Sequence, residues 1–263
     1  MDLATVFVLS GAVVCGYVVV QWLASLWFRD ASLVDRYWGG GFALVAVVVL
    51  VVAHPGGWRS VLIAGMAIVW GLRLSVYLTW RNWGHGEDYR YQAMRRKRGE
   101  SFWWQSLFTV FLLQGALTWF ISLPLQVGIS TGGPDSLTVF DFLGVLFWCV
   151  GLAFESIGDY QLVRFKADPS NAGRVMDRGL WRYTRHPNYF GDAMAWWGMY
   201  LVAASTNAGA YTFLSPLLMH FLLMRVSGVA LLEKKLSKSR EGYADYVART
   251  NAFYPWFPKR VTG

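Results

Sequence analysis

Arg182, Arg185 and His186 stand in a polar stretch that Pro187 closes, and Asn188, Gly191 and Asp192 open the apolar run that follows. Polar groups at the mouth of a membrane helix are costly unless they bind something, so Gly179–Gly198 is read as one wall of a cofactor site. Upstream, Glu155 and Asp159 lie four apart on one helix face, followed by Arg164 and Lys166. Carboxylates aimed into a bundle need donors such as ribose hydroxyls, an amide or Arg185; a structural network is the alternative. No His or Cys joins them at ligand spacing, so no metal site is expected.

The N-terminal half carries a second set. Asp35, in Ser32–Trp38, is either a proton donor to a substrate carbonyl or a helix-start carboxylate paired with Arg36. Arg73 and Tyr77 share a helix face; Arg73 either pairs with Asp35 or a cofactor pyrophosphate, or snorkels to the interface. Glu87-Asp88-Tyr89-Arg90-Tyr91 mixes acid, base and phenol, suited to ribose and phosphate or to a salt-bridged loop. The run Arg95–Arg98 reads as topology signal and lipid contact. His220 reads as a core residue, Glu233 ends the last apolar segment, and Tyr254–Phe257 read as an interfacial tail.

These groups must be positioned by membrane helices. The chain has 263 residues, 55% hydrophobic and 15% charged, whereas soluble domains average about 25% charged. Seven apolar runs approach the roughly 20 residues a span needs: Leu3–Phe28, Tyr37–Ala53, Ser60–Trp80, Phe102–Leu123, Val139–Leu162, Tyr189–Ser205 and Tyr211–Leu232. Basic residues concentrate in alternate loops: Arg81, Arg90 and Arg95–Arg98 after the third run, and Arg164, Lys166, Arg174, Arg178, Arg182 and Arg185 after the fifth. The segment from Lys234 adds Lys235, Lys238, Arg240, Arg249, Lys259 and Arg260. Turns such as His54-Pro55-Gly56-Gly57 on the other side carry almost none. The expected fold is an all-α, polytopic bundle of seven transmembrane helices, N-terminus outside and C-terminus cytoplasmic, with function on the cytoplasmic side. The net charge of +8 is divided by long apolar spans, so the partner is the bilayer and not nucleic acid. Cys15 and Cys149 sit in apolar runs and form no framework.

Gly179-Leu180-Trp181, Tyr183, Arg185-His186-Pro187-Asn188-Tyr189 and Gly191-Asp192 together resemble the C-terminal signature of the steroid 5-alpha-reductase superfamily. The Asp35–Trp38 and Glu87–Tyr91 segments look like its bacterial branch. The resemblance implies a single membrane reductase domain in the bacterial inner membrane, with NADPH bound on the cytoplasmic side and a lipid-like enone, such as a 3-oxo-4-ene steroid, entering from the bilayer. It implies residues 1–100 on the substrate side, 101–263 on the cofactor side, and a monomer.

Position by position, it implies that Asn188 binds the nicotinamide carboxamide, with Asp192, Glu155, Asp159, Tyr183, Arg185, His186 and Glu233 around the cofactor. Arg73, Asp88, Arg90, Tyr91, Arg164, Lys166 and Arg174 join them as further cofactor contacts, Arg174 on the phosphate side. Asp35 falls at the family's catalytic glutamate. Trp70 stands where eukaryotic enzymes carry a carbonyl-binding tyrosine, which leaves Tyr37 or Tyr77 as substitutes. The Arg-His-Pro-x-Tyr-x-Gly pattern also occurs in isoprenylcysteine and phospholipid methyltransferases, which bind S-adenosylmethionine, so a methyltransferase or a non-catalytic lipid-binding protein are the alternatives.

Overall fold

The computed structural model describes residues 1–54, 56–226, 228–239 and 242–259. Pro55 of the first outer turn and Arg240 and Arg260 of the basic segment lie outside them. The described chain is helical, with no strand among the described residues. Among the described residues, six helical stretches are long and apolar enough to cross a membrane: Leu3–Phe28, Leu33–Ala53, Trp58–Asn82, Tyr89–Thr131, Val139–Ala167 and Asn207–Val226. The remaining candidate, Pro187–Ala203, has 17 residues. At a rise of about 1.5 Å per residue it falls short of the roughly 30 Å hydrocarbon layer.

The chain clusters into two compact units, Met1–Phe140 with Met199–Ser215, and Asp141–Gly198 with Pro216 onward. In the first unit, α1 (Leu3–Phe28) begins where the Asp2 carboxylate accepts the Thr5 N–H at 2.8 Å and ends at Arg29, whose φ of 53° turns the chain out of the helix. Next come α2 (Leu33–Ala53) and α3 (Trp58–Asn82), which lie along one another. Their contact is set by Gly39 and Gly71: a Cβ on either would come within 2.5 Å of the other's carbonyl oxygen. The pair therefore packs backbone to backbone.

A basic helix, α4 (Tyr89–Arg98), starts at Asp88, whose carboxylate accepts the Arg90 N–H at 2.9 Å. It leads through α5 (Phe102–Ser106) into a wide π turn at Leu107–Leu112, then α6 (Leu113–Ile121) and α7 (Leu123–Thr131). The π turn lies against α1, and α7 against α2 and α3. Of the glutamines in this unit, Gln21 on α1 and Gln126 on α7 are buried.

The second unit is built on α8 (Val139–Ala167) and α9 (Pro187–Ala203). Glycines recur every seventh residue on both, at 144, 151 and 158 and at 191 and 198. A Cβ on Gly151 would stand 2.5 Å from the Gly191 carbonyl oxygen, and one on Gly198 2.6 Å from that of Gly144. The two helices cross at backbone contact along this stripe. After α10 (Asn207–Ala210) and α11 (Leu214–Phe221), the chain forms α12 (Val229–Ser239) and α13 (Tyr243–Arg249), which pack together.

Candidate functional site

The glycine stripe of the second unit has a chemical consequence. By bringing Gly191 against the backbone at Glu155, it sets Glu155 and Asp159 of α8 beside the first turns of α9. Glu155, Asp159 and Asp192 are only 3%, 3% and 7% exposed. Asn188 directs its amide Nδ2 to the Asp159 carboxylate at 3.3 Å and accepts the Tyr189 N–H at 3.1 Å. Asp159 thus lies near the N-terminus of α9, where the unpaired N–H groups favour negative charge. The result is a buried wall of carboxylates and one amide, rich in acceptors. Among the described residues no group of His, Cys, Asp and Glu could hold a metal ion.

The Arg-His-Pro segment does different work. Arg185 is 8% exposed; its Nε and one terminal nitrogen reach Glu233 at 2.7 Å, and its other terminal nitrogen donates to the carbonyls of Val247 (3.2 Å) and Thr250. His186 is buried, lies 3.3 Å from Glu233 through Nε2 and stacks on Tyr189 at 5.7 Å. Arg185 therefore ties the start of α9 to α12 and to the end of α13. Burial would raise the Glu233 pKa, but hydrogen bonds from His186 and Arg185 and their charges hold it below the ordinary carboxylate value. Burial and the neighbouring Glu233 push the Tyr243 phenol up to about 12.

Further bonds lace the same loop to the segment after α12. The Trp256 N–H donates to the Tyr183 carbonyl at 2.9 Å, Thr184 Oγ1 to the Phe253 carbonyl at 2.8 Å, and Tyr246 to the Trp181 carbonyl. Trp181 in turn donates its ring N–H to the Gly158 carbonyl at 3.0 Å. Tyr183 packs its ring on Phe257. Arg164, Lys166 and Arg174 are exposed, at the end of α8 and in the loop that follows.

In the first unit, Asp35 sits in the first turn of α2 and pairs with Arg90 at 2.6 Å, not with Arg36. Its second oxygen accepts the Tyr91 hydroxyl at 2.8 Å. Arg90 also reaches Asp88 at 2.9 Å, Arg36 goes to Asp30 at 2.7 Å, and Arg95 to Glu87 at 2.8 Å. Asp88, Arg90, Tyr91 and Asp35 thus form one connected network. Arg98 donates to Gln105 at 2.9 Å, leaving Arg96 and Lys97 as the exposed members of the basic run. Arg73 and Arg81, one helical turn to either side of Tyr77, lie 5.1 and 5.4 Å from the centre of its ring. Tyr37 is exposed and contributes its carbonyl to Tyr17 at 2.9 Å. Trp70 is fully buried, edge-on to Phe42.

Asp35, Arg90, Tyr91 and Asp88 are therefore brought together in one unit. Glu155, Asp159, Asn188 and Asp192 gather in the other, with Arg185, His186 and Glu233 in a tie at the start of α9. The heptad glycines were visible in the sequence as a seven-residue spacing within two apolar runs.

A family model for a protein of unknown function, DUF1295, matches residues 21–250, and the chain belongs to this family. It is 22% identical over 263 residues to an uncharacterized protein of Schizosaccharomyces pombe, an alignment that covers 90% of this chain and 76% of the relative. No solved structure matches.

Proposed function

We propose that the chain is a membrane reductase using NADPH to reduce a carbon–carbon double bond conjugated to a carbonyl in a lipid-like substrate, of the steroid 5-alpha-reductase type. The observation that carries this reading is the half-buried Asn188 amide paired with the buried Asp159 carboxylate at the glycine crossing of α8 and α9. An asparagine amide both donates and accepts, as a nicotinamide carboxamide requires, and the neighbouring carboxylates suit ribose hydroxyls. The exposed Arg164, Lys166 and Arg174 suit phosphates. Arg185 has its donors on Glu233, Val247 and Thr250, so its part here is to hold the wall and not to bind phosphate.

NADPH, when bound, would supply the hydride. The chain's own tasks are to orient the ring through Asn188, exclude water, and present a donor to the carbonyl oxygen as negative charge develops there. In the first unit Tyr91 and Arg90 are donors assembled on Asp35. Seven membrane-spanning helices with α9 as the short one, a cytoplasmic site, a bacterial inner membrane and a monomer complete the reading.

The acidic wall favours one second reading. Three buried carboxylates suit a cationic cofactor, and the sulfonium of S-adenosylmethionine is one. The test is turnover: protein in lipid nanodiscs given NADPH and testosterone or progesterone should oxidise NADPH and release the saturated ketone. No NADPH oxidation, with methyl transfer from S-adenosylmethionine to a lipid acceptor, would replace the reductase by the methyltransferase.

A further inference from the structure

The four consecutive cations of α4 divide by helix face. Tyr91, Arg95, Arg98 and Phe102, spaced four, three and four apart, form one face and are held by the protein. Tyr91 bonds Asp35, Arg95 bonds Glu87 and lies 4.6 Å from the centre of the Phe102 ring, and Arg98 bonds Gln105 and Thr109. Gln92, Ala93, Arg96 and Lys97 form the other face and are exposed. Membrane topology requires only that such charges be present. Here two are bonded inward and two are left outward side by side.

The depth of that outer face follows from its neighbours. The helical stretch Tyr89–Thr131 has 43 residues, about twice what a span needs, and its apolar part begins at Phe102. Its first ten residues, α4, are therefore a polar overhang at the edge of the hydrocarbon. Exposed tryptophans mark that edge: Trp103 and Trp104 just after α4, Trp80 and Trp83 at the end of α3, and Trp27 at the end of α1. Trp22 stacks on the Trp103 ring and donates its ring N–H to the Trp103 carbonyl at 2.9 Å, which levels the end of α1 with the start of α5. Arg96 and Lys97 stand about two turns from these tryptophans, at the level of lipid headgroups.

We propose that the outer face of α4 docks the headgroups of anionic phospholipids, and that this contact steadies the helix that carries Arg90 and Tyr91 to Asp35. The charges are complementary: a guanidinium holds phosphate oxygens as a fork and an ammonium as a point charge, and a negative leaflet attracts both. Glu100, exposed one turn further along, limits the attraction. The tryptophan rim favours a bilayer over an acidic protein as the partner. The surface needs neither nucleotide nor any residue of α8 and α9, so it stands or falls apart from the reductase reading.

Native mass spectrometry of the detergent-solubilised full chain, titrated with phosphatidylglycerol or phosphatidylcholine of the same acyl chains, tests the docking. Wild type should hold phosphatidylglycerol at least about tenfold more tightly, since each cation near the surface is worth about fivefold. Arg96→Gln with Lys97→Gln should bring the two lipids level, and Glu100→Gln should widen the preference. Both variants should keep their melting temperature in phosphatidylcholine nanodiscs. Arg178→Gln with Lys259→Gln, an equal loss of exposed charge elsewhere, should keep the preference. In wild type, hydrogen exchange over 89–98 should be slower in phosphatidylglycerol than in phosphatidylcholine nanodiscs. Equal binding of the two lipids by wild type would overturn the assignment, as would a preference that survives Arg96→Gln with Lys97→Gln or is lost alike in both double variants. So would unchanged exchange over 89–98, or polyglutamate binding more tightly than phosphatidylglycerol, which would give the face to an acidic protein.

Discussion

In the unit carrying α8 and α9, a glycine crossing gathers three buried carboxylates and an asparagine. In the unit built on α1 to α7, the crossing of Gly39 and Gly71 gathers Ala43 and Ser75, whose hydroxyl accepts the Gly40 N–H at 2.8 Å. The packing device is the same and the chemistry differs. Close backbone approach is a way to join helices where no hydrophobic effect drives them together. It becomes a site only where the residues one turn away are acids and amides. Arg185 sharpens the contrast, because the most recognisable arginine of the second unit is saturated by its own chain.

The second unit depends most heavily on the tie that Arg185 makes. Glu233→Ala leaves a buried guanidinium without its carboxylate and should destabilise the second unit by about 3 kcal/mol or more, read as thermal unfolding in detergent. Hydrogen exchange should then rise over 243–256 and stay unchanged over α2 and α3. Uniform loosening of both units would contradict the local tie. Gly191→Ala, forcing a Cβ to within 2.5 Å of the Glu155 nitrogen, should cost about 1–3 kcal/mol and weaken nucleotide binding; Gly71→Ala should cost as much and leave nucleotide binding intact.

A smaller effect separates the units by pH. Glu233 has its pKa lowered in the folded chain, with Arg185, His186 and Tyr243 facing it. Its contribution is therefore complete above the ordinary value of 4.5 and is lost as pH falls through the lowered one. Glu233→Gln should flatten the acid limb of stability, measured by thermal unfolding between neutral pH and the acid range. An unchanged acid limb would place the tie's strength elsewhere.

Much of the architecture was legible. Apolar runs of about 20 residues foretold the six long helices, because a membrane helix must satisfy its backbone internally and shield it with apolar side chains. The boundaries were less so. Asp35 and Arg36 were read as preceding α2, yet the helix begins at Leu33, since Asp35 and Arg36 find partners in Arg90 and Asp30 that make their place in the first turn tolerable.

Pairing was the part the sequence hid. Asp35 and Arg36 are adjacent in the chain, but neighbours on a helix point about 100° apart, so each reaches a different distant partner. Likewise Arg185, grouped by motif with cofactor residues, takes partners 48 to 65 residues away. The proximity of Asn188 to Asp159 followed from a glycine spacing that only becomes informative once the two helices are seen to cross.

Calorimetric titration of nanodisc protein shows directly whether the acid and amide wall between α8 and α9 is a nucleotide site. Wild type should bind NADPH, Asn188→Ala should bind it at least about tenfold more weakly with an unchanged melting temperature, and S-adenosylmethionine should give no heat. Binding of S-adenosylmethionine alone, or NADPH binding indifferent to Asn188, would contradict it.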